Sequence, residues 1–600
     1  MPSNLFRKVI VPLVHGCDSS ASLRVARALA VGRDILLVGL VMVKTDESLS
    51  VGALPARELR RQMRELREQI GVRSNQQIRV SNRPWDELIG IAREEDPDLL
   101  IIEECHASML GVDMQDALRT SPCSTAILSG QVPEKIGSLL VAQRGGPSAE
   151  LSLRIGLSIA GSEGSGMTTL HIVGSKAPPK QDISYQGIAS VLKHLPAVRR
   201  MEMVTDEPAN AILEAARDCD LLIMGSTVRP HAEKVGIGPI AESILQERHK
   251  GTLIVKIISS SAGDSEGTLS SRSAISVLVD KWFAEHTYHA EEFADLEALV
   301  RRKEKQNLKV SLALPALNEE ETVGDVIRVV KSALMDRLPV LDEIVLMDSN
   351  STDRTRQIAA DLGVPVYIHQ ELLPQYGSRR GKGEALWKSL YVTHGDILLW
   401  IDTDIVNIGP AFVFGLLGPL LLDPRVQFIK GYYQRPLKVD GKMQAGGGGR
   451  VTELTARPLL NLFYPELSGI IQPLSGEYGG RRSALEQMAF SSGYGVEIGL
   501  LIDIFEKYGL GGLAQVDLSE RIHHNQPLES LSKMSFAIIQ TLVRRLEHRY
   551  RTNILEDVNK TMKLIRYAQG SLFLEVSEIA ELERPPMCDL PEYRTKFASA

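Results

Sequence analysis

Two acidic side chains one residue apart, Asp402 and Asp404, directly follow the apolar run of residues 396–401. Paired carboxylates at the end of a buried strand can hold a hard divalent cation, which prefers oxygen ligands and commonly bridges carboxylates to phosphate oxygens. Such a cation neutralises the negative charge that grows on a departing diphosphate. An Asp-x-Asp triplet also occurs often by chance at helix caps and turns, so the neighbouring sequence has to decide between these interpretations.

Polar segments also follow three other predicted strands. The strands and the segments after them are 310–314 with 315–321, 343–347 with 348–353, and 364–368 with a helix start at 381–387. The carboxyl ends of parallel strands share one edge of a sheet, where nucleotides usually bind. In the third segment Lys382 stands between two glycines at a helix N-terminus, where its charge would add to the amide dipoles that attract a diphosphate. The common edge favours a metal and nucleotide site over a chance triplet.

The sequence predicts the surroundings of two further acidic residues, Glu321 and Glu497. Asn318 and Glu321 stand at the spacing of a capping box, which predicts that Asn318 caps a helix whose buried stripe is Val323, Val326, Ile327 and Val330. Glu497 interrupts the apolar helical run of residues 496–502. A carboxylate buried there without a partner would be costly, so we expect it to have a polar partner.

Length and composition set the frame for these motifs. Six hundred residues are too many for one core, and a formal charge of −7 gives no electrostatic reason to expect nucleic acid or a membrane as partner. Five scattered cysteines without a CxxC pair indicate free thiols in a reducing cytosol rather than disulfides or zinc. No signal-peptide core or spanning segment is recognised, so we expect a cytoplasmic protein.

A repeated α/β pattern occupies the first 258 residues. The first copy has predicted strands at 8–13, 35–43 and 98–102 with helices at 19–30 and 87–92; the second has strands at 139–142, 169–173, 220–224 and 252–256 with helices at 149–160 and 208–217. Strands that alternate with helices predict two doubly wound parallel sheets.

This paired unit resembles the universal stress protein family. The nucleotide-binding members of that family carry a G-x2-G-x9-G-[ST] loop, whose glycines let backbone amides approach phosphates. The second copy keeps Gly225 and Gly238 but has Val228 and Pro239 at the other two positions, and Arg144 where an acidic residue is expected. The first copy has no such loop, with Glu103 after its last core strand. We therefore expect a structural or dimerising role ahead of ATP binding.

The second half carries an ordered run of motifs: PALNEEET, LMDSNSTD, GKGEALW, DTD, GGGRVTEL, RPLL, QPLSGEY, GYGVEIGLLID and RIHHN. Through them residues 275–540 resemble the family of glucosyl-3-phosphoglycerate synthases, retaining glycosyltransferases of the GT-A fold (family 81). The resemblance implies transfer of glucose from a nucleotide sugar, with UDP-glucose favoured, to 3-phosphoglycerate, with Mg²⁺ or Mn²⁺, in the synthesis of the compatible solute glucosylglycerate. Thr403 replaces the serine that is usual between the two aspartates.

The expected fold class is α/β, with two doubly wound stress-protein-like domains followed by a Rossmann-like GT-A domain. The predicted boundaries are 1–132 and 133–258 for the first two domains, 259–273 for a Ser/Gly-rich linker, 274–553 for the transferase domain and 554–600 for a C-terminal extension. The segment 274–304 is predicted to be helical.

The resemblance also assigns roles to single residues. Donor binding falls to Pro315, Ala316, Leu317, Glu319, Ser349, Lys382, Asp402, Leu474 and Tyr494. Catalytic roles in the sugar pocket fall to Glu497 and Arg521, and metal ligation to Asp404 and His523, the latter preferred over His524 by alignment. Acceptor binding falls to Gly448, Gly449, Arg450, Thr452 and Asn525. An arginine fork suits the phosphate and carboxylate of the acceptor, although a flexible tether is the plainer interpretation of the four glycines.

Three alternatives stay open at this point. A related hexosyltransferase could use GDP-mannose or another nucleotide-glucose, because donor preference depends on few contacts. A polyprenyl-phosphate sugar transferase shares the fold but usually brings membrane helices. A nucleotide-sensing stress protein would have no transferase activity. We also expect a homodimer or higher homo-oligomer, assembled through the paired sheets.

Overall fold

The structure is a computed structural model, and it describes residues 6–30, 34–70, 74–143, 147–173, 198–226, 237–257, 271–434, 437–439, 442–444, 449–521, 527–552, 554, 560–568 and 571–597. It divides into two compact units, Met1–Leu269 and Ser270–Ala600. The division falls inside the segment predicted as a linker, whose residues 258–270 lie outside the described ones. The five predicted domain ranges stay predictions.

The first unit contains one ten-stranded sheet. Its strands are β1 (Lys8–Val14), β2 (Asp34–Met42), β3 (Ser74–Ser81), β4 (Leu99–Glu103), β5 (Thr125–Ser129), β6 (Ser138–Gln143), β7 (Gly166–Val173), β8 (Arg199–Val204), β9 (Leu221–Gly225) and β10 (Gly251–Lys256). Their order is β3-β2-β1-β4-β5-β10-β9-β6-β7-β8. The expectation of two separate sheets was wrong, because β5 and β10 pair antiparallel and join the two copies edge to edge.

Each half of this sheet repeats the same topology. Strands β1 to β5 are parallel in the order 3-2-1-4-5, and β6 to β10 follow the same order in the second copy. The strands β1, β4 and β10 are buried along nearly their whole length, as parallel strands covered on both faces require. The helices among the described residues of the unit are Ser20–Leu29, Ala53–Ile70, Pro84–Glu95, Glu104–Met109, Met114–Thr120, Pro147–Glu163, Pro208–Ala215 and Pro239–Glu247.

The second unit is built on an eight-stranded mixed sheet. Its strands are β11 (Thr287–His289), β12 (Val310–Ala316), β13 (Glu343–Asp348), β14 (Val366–Ile368), β15 (Ile397–Trp400), β16 (Phe428–Gln434), β19 (Tyr478–Arg481) and β21 (Leu513–Glu520), in the order β11-β21-β16-β19-β15-β12-β13-β14. Strands β12, β13, β14 and β15 are parallel, and β19 runs antiparallel between β15 and β16. Short pairs join β17 (Leu437–Val439) to β18 (Lys442–Gln444), β20 (Phe490–Ser491) to β24 (Glu583–Arg584), and β22 (Thr561–Ala568) to β23 (Ser571–Glu578).

Helices cover this second sheet. They are Ser271–His286, Leu296–Lys305, Val323–Lys331, Thr355–Asp361, Lys382–Val392, Ala411–Leu422, Arg457–Phe463, Arg482–Leu485, Val496–Tyr508, Leu528–Tyr550 and Pro591–Phe597. The predicted helical segment 274–304 is interrupted by β11 and by a short turn at Ala290–Phe293, where His289 forms the capping interaction that begins a new helical turn. Two apolar cores form, one on each side of the sheet.

The C-terminal residues belong to the core of the second unit. Strand β24 pairs with β20, and Tyr593 is buried among the residues of the same core as Trp387. Within the described residues, no helix is long and apolar enough to cross a bilayer.

Candidate active site

The predicted polar loops meet at one edge of the second sheet. Strands β12, β13 and β15 are parallel neighbours, so the loops that follow them emerge side by side. Backbone and side-chain bonds connect these loops: Thr403 Oγ1 donates to the carbonyl of Pro315 at 2.9 Å, and the Ser349 amide donates to the carbonyl of Ala316 at 2.9 Å. The convergence expected from the sequence is therefore confirmed for these strands.

Asn318 has a different role from the one predicted. The following helix begins at Val323 with Thr322 before it, and Asn318 adopts a positive φ of 58°. Its Oδ1 accepts from the Thr352 amide at 2.8 Å, and its own amide donates to Ser351 Oγ at 2.9 Å. The capping-box prediction was wrong, because the asparagine ties the first polar loop to the second.

Asp402 contacts two cationic side chains. Its Oδ1 lies 2.5 Å from Lys382 Nζ, and its Oδ2 lies 3.3 Å from Arg521 Nη2. Burial by itself would raise the pKa of this carboxyl, but the charges of Lys382 and Arg521 outweigh burial and hold the pKa well below its ordinary value. Gly476 packs so closely that a Cβ there would stand 1.8 Å from Asp402 Oδ2. The carboxylate is thus held in one position, as an anion.

Arg521 connects three carboxylates. Besides Asp402, its Nη2 lies 2.5 Å from Asp404 Oδ1, and its Nη1 lies 2.7 Å from Glu477 Oε1. Nη1 also donates to the hydroxyl of Tyr433 at 2.8 Å. The side chain is only 4% exposed. Burial opposes its charge, but Glu477 and the neighbouring anions raise its pKa well above the ordinary value.

Lys382 links Glu497, the predicted catalytic carboxylate, to Asp402. Its Nζ lies 3.2 Å from Glu497 Oε1 as well as against Asp402. Burial would lower the pKa of this lysine, yet the two carboxylates, Asp402 first, raise it above its ordinary value. Glu497 is buried at 8% exposure in the helix Val496–Tyr508. Its predicted need for a polar partner is met by Lys382.

Glu319 lies beside the acidic pair without being part of the ion-paired group. Burial, followed by the charge of Asp404 and smaller effects of Asp402 and Asp353, raises the pKa of Glu319 to about 7. A carboxyl of this kind changes its charge near neutral pH. A cation bound next to Asp404 would favour its ionised form.

Three buried residues of the site were not assigned from the sequence. Glu477 is fully buried and carries the third carboxylate on Arg521. Lys430 Nζ donates to the carbonyl of Ser475 at 2.7 Å and lies 4.2 Å from the ring centre of Tyr478. Burial lowers the pKa of Lys430 to about 7. Glu477 and Tyr478 stand in the motif QPLSGEY, so the motif was recognised although these two residues were not.

The remaining predicted residues lie at several places. Leu317 and Tyr494 are each 53% exposed, and Leu474 is partly buried against the core. Gly449 has a φ of 91°, Arg450 is exposed, and Thr452 is buried at the start of a π-helical turn, Thr452–Ala456, a feature often found at functional sites. Gly448, His523 and Asn525 lie outside the described residues.

The charges of the group fit a divalent cation. Two cationic side chains, Lys382 and Arg521, are ion-paired with four carboxylates, Asp402, Asp404, Glu477 and Glu497, which leaves an excess of two negative charges (4 − 2). Asp404 is the most accessible of these carboxylates, with 43% of its side chain exposed. Hard oxygen donors of this kind are the ligands that Mg²⁺ and Mn²⁺ prefer.

The C-terminal segment supports the site from behind. Arg584 forms a two-pronged ion pair with Glu384, with Nε and Nη2 each at 2.7 Å from a carboxylate oxygen, in the first turn of the helix that carries Lys382. Glu581 accepts from the amides of Gly493 and Tyr494 at 3.0 and 2.9 Å, in the loop before Glu497. Gly383 lies against the carbonyl of Ser491, where a Cβ would come within 1.8 Å.

Comparison with known proteins gives one family. The glycosyl transferase family 2 model matches residues 311–437. The glucosyl-3-phosphoglycerate synthase of Petrotoga mobilis is 51% identical over 312 residues, which cover 52% of this chain and 96% of that protein. The enzyme of the same name from Mycolicibacterium smegmatis is 44% identical over 313 residues, covering 52% and 98%. The structure of the Mycobacterium tuberculosis enzyme with Mn²⁺, UDP and glucosyl-3-phosphoglycerate has 40% identity and a TM-score of 0.43, covering 49% of this chain and 95% of that one.

The mixed sheet with paired carboxylates at its carboxyl edge and the family 2 match define a metal-dependent glycosyltransferase of the GT-A fold. Within that class, the chain belongs to the glucosyl-3-phosphoglycerate synthase family, because nearly the whole length of the Petrotoga relative is matched at 51% identity.

Proposed function

We propose that the chain transfers glucose from a nucleotide sugar, with UDP-glucose favoured, to 3-phosphoglycerate with retention of configuration. The observation that carries this proposal is the ion-paired group of Asp402, Asp404, Lys382 and Arg521 at the carboxyl edge of β12 and β15. Family membership supplies the identity of donor and acceptor.

Different residues of the group bind or orient different parts of the donor. Lys382 provides a positive charge for the diphosphate, and Asp402 and Glu497 keep that charge in place. Arg521, itself held by Glu477 and Tyr433, orients both aspartates. Pro315, Ala316, Leu317, Glu319 and Ser349 would receive the base and ribose, and Leu474 and Tyr494 the sugar. Glu497 would bind sugar hydroxyls. The acceptor hydroxyl would bond to the anomeric carbon on the face from which the diphosphate leaves, as the bond from that carbon to the diphosphate oxygen breaks, and the leaving phosphate would accept the hydroxyl proton.

A divalent cation would be held by Asp404 together with His523. When bound, it supplies charge neutralisation to the diphosphate as that group leaves. The histidine can ligate only as neutral imidazole. The acceptor's phosphate and carboxylate would be bound by Gly448, Gly449, Arg450, Thr452 and Asn525, since glycine amides and an arginine fork match these anions.

A donor-by-acceptor matrix tests the function. Purified full-length protein is incubated with UDP-glucose, other nucleotide-glucoses or GDP-mannose, each with and without 3-phosphoglycerate and Mg²⁺, and release of nucleotide is measured. We expect release only when the acceptor and metal are both present, and fastest with UDP-glucose. Preference for GDP-mannose would replace the donor assignment, and no release with any hexose donor would favour the nucleotide-sensing alternative.

The proposal for residues 1–258 is a pair of universal-stress-protein-like domains with a structural or dimerising role. The support is the repeated 3-2-1-4-5 strand order and the direct pairing of β5 with β10 inside one chain. Because β5 and β10 already pair within one chain, assembly of two chains would need another surface. Sedimentation of the full-length protein tests the homo-oligomer, and a monomer would contradict it. A cytoplasmic location fits the five free cysteines.

A further inference from the structure

A cluster of potential metal ligands lies in the first unit, outside the glycosyltransferase site. It consists of Glu103, Cys105 and His106, whose ligand atoms all lie within 4.8 Å of one another. The sequence spacing gave no reason to expect zinc, since the cysteines form no CxxC pair. In the folded chain, one potential ligand stands at the end of strand β4 and the other two stand in the helix Glu104–Met109 that follows it.

The cluster occupies the place where ligands usually bind in this topology. Glu103 is the last residue of β4, and β4 lies beside β1 at the point where the strand order 3-2-1-4-5 changes direction. Ligands of open α/β sheets bind outside the carboxyl ends of the strands at such a switch point. The glycine loop expected of a phosphate-binding relative is missing after this strand, so the position is open to another kind of ligand.

His106 has one ring nitrogen bonded to the backbone and the other buried without a partner among the described residues. The side chain is fully buried, and its Nε2 lies 3.0 Å from the carbonyl oxygen of Asp18. Since a carbonyl only accepts, Nε2 carries the proton and Nδ1 is left with its lone pair. Nδ1 is buried and has no hydrogen-bond partner among the described residues. Metal-bound histidines characteristically donate their other ring N–H to a backbone carbonyl or carboxylate in this way.

Glu103 and Cys105 complete the set. Glu103 Oε1 accepts from the Ser22 amide at 2.7 Å, which fixes the carboxylate, and Oε2 lies 3.9 Å from Cys105 Sγ. Donor atoms of a tetrahedral Zn²⁺ site lie roughly 3.3–3.7 Å apart, so a small rotation of the exposed Cys105 side chain would bring the three donors into range. The three residues Glu103, Cys105 and His106 leave the fourth position of a tetrahedral ion to water or another ligand.

We propose that Glu103, Cys105 and His106 bind Zn²⁺ at the switch point of the first half-sheet. A carboxylate, a thiolate and an imidazole are a ligand set typical of zinc. Binding displaces the thiol proton of Cys105 to solvent and satisfies the buried nitrogen of His106. The thiolate distinguishes this site from that of the transferase, where Asp404 and His523 are proposed to hold Mg²⁺ or Mn²⁺.

Cobalt substitution tests the proposal on the full-length protein. Chelator-treated protein, kept reduced with a phosphine, is titrated with Co²⁺, and the absorption band of a thiolate bound to cobalt is recorded. We expect a band that saturates near one equivalent and disappears when Zn²⁺ displaces Co²⁺. Cys105→Ser should abolish the band and weaken Zn²⁺ binding by at least about tenfold, whereas Cys588→Ser and Asp404→Asn should leave both unchanged.

A second measurement does not depend on a variant that folds. Full-length wild-type protein is alkylated with iodoacetamide in the presence of Zn²⁺, Mg²⁺ or neither, and the modified cysteines are located by mass spectrometry. We expect Zn²⁺, and not Mg²⁺, to slow modification of Cys105 while Cys588 reacts at an unchanged rate. No cobalt–thiolate band in the wild type, or a band retained in Cys105→Ser, would overturn the site, and so would equal alkylation of Cys105 with and without Zn²⁺.

Discussion

At the scale of single residues, Asp402 is a carboxylate constrained on several sides. Lys382 and Arg521 hold its two oxygens, and Gly476 leaves no room beside it. The glycine is needed because of the space that the carboxylate occupies, since Gly476 is not among the glycines of positive φ. Gly476, in the motif QPLSGEY, thus limits the positions that the Asp402 side chain can take.

Replacing Gly476 by alanine should therefore displace Asp402. A methyl group at this position would stand 1.8 Å from Oδ2, and a shift of about 1 Å in a catalytic group costs roughly 100-fold in rate. We expect kcat/KM to fall by about that factor with little loss of thermal stability. Gly409→Ala is the matched control, because a Cβ there meets no atom within 4 Å; equal rates for the two variants would contradict the argument.

Glu497→Gln separates sugar chemistry from nucleotide binding. The substitution keeps the size of the side chain and removes a charge 3.2 Å from Lys382, while Asp402 still holds that lysine. We expect turnover to fall by roughly 100-fold or more, within the range for loss of a directly involved polar group, and the affinity for UDP to change little. Calorimetric titration with UDP checks this, and a parallel loss of UDP affinity would refute a role confined to the sugar.

At the scale of elements, the helix Lys382–Val392 depends on charges at its buried face. Glu384, Lys388 and Arg584 form an ion-paired triad that is at most 3% exposed. Arg584 also donates to the carbonyls of Tyr376 and Gly377 before the helix. The C-terminal strand β24 thus fixes the helix start that presents Lys382.

Arg584→Met should destabilise the second unit. The change leaves Glu384 buried with Lys388 as its remaining partner, and breaking a buried pair costs about 3 kcal/mol. Urea unfolding followed by tryptophan fluorescence measures the effect. Arg594→Met is the control, because the ion pair of Arg594 with Asp589 is exposed and should contribute less than about 1 kcal/mol. Similar losses of unfolding free energy in the two variants would argue against a stabilising role of the triad.

The buried His369, which follows strand β14, should make the free energy of unfolding depend on pH. It is fully buried, and burial lowers its pKa to about 4, with Lys388 acting in the same direction and Glu384 opposing. Between the folded value and the ordinary value near 6.5, the unfolded chain binds the extra proton. Stability should therefore fall by up to about 3 kcal/mol as the pH drops from 6.5 to 4.

His369→Gln should flatten this part of the stability profile. The slope of the unfolding free energy against pH, measured by urea titration in steps from pH 7 to pH 4, is compared between the variant and the wild type. An identical slope in the two proteins would show that another group titrates.

At the scale of the whole molecule, the described ion-paired residues of the transferase site all belong to the second unit. Every ion pair of the site joins residues between Lys382 and Arg521, and the matched relatives cover about half of the chain. We expect a protein of residues 271–600 to retain glycosyl transfer within a few-fold of full length. Loss of activity on removing residues 1–270 would instead make the first unit part of the catalytic machinery.

A shorter protein provides the contrast. Residues 271–578 lack Glu581, Arg584 and Tyr593, which hold the loop before Glu497, the helix of Lys382 and the core. We expect this fragment to lose activity and to unfold at a much lower temperature than residues 271–600. Full activity in both fragments would show that residues 579–600 are not needed to support the transferase site.

Patterns with local causes were predicted well from the sequence. The buried runs that became β1, β4, β12, β13 and β15 alternate with helices at the predicted places, since apolar periodicity follows directly from burial in a parallel sheet. The polar loops after β12, β13 and β15 were correctly expected at one edge. The motifs of the transferase half were specific enough to indicate the family that the relatives confirm.

Only the tertiary structure decided which distant residues meet. Asn318 had the local signs of a cap, yet it bonds the neighbouring loop, because a cross-loop partner was available once β12 and β13 were paired. Likewise, Arg521 meets Asp404, Arg584 meets Glu384, and His106 meets Asp18 over separations of 117, 200 and 88 residues. Sequence periodicity reports the burial of each segment separately, whereas charge pairing and ligand geometry depend on how segments pack, and that information appears only when the chain is folded.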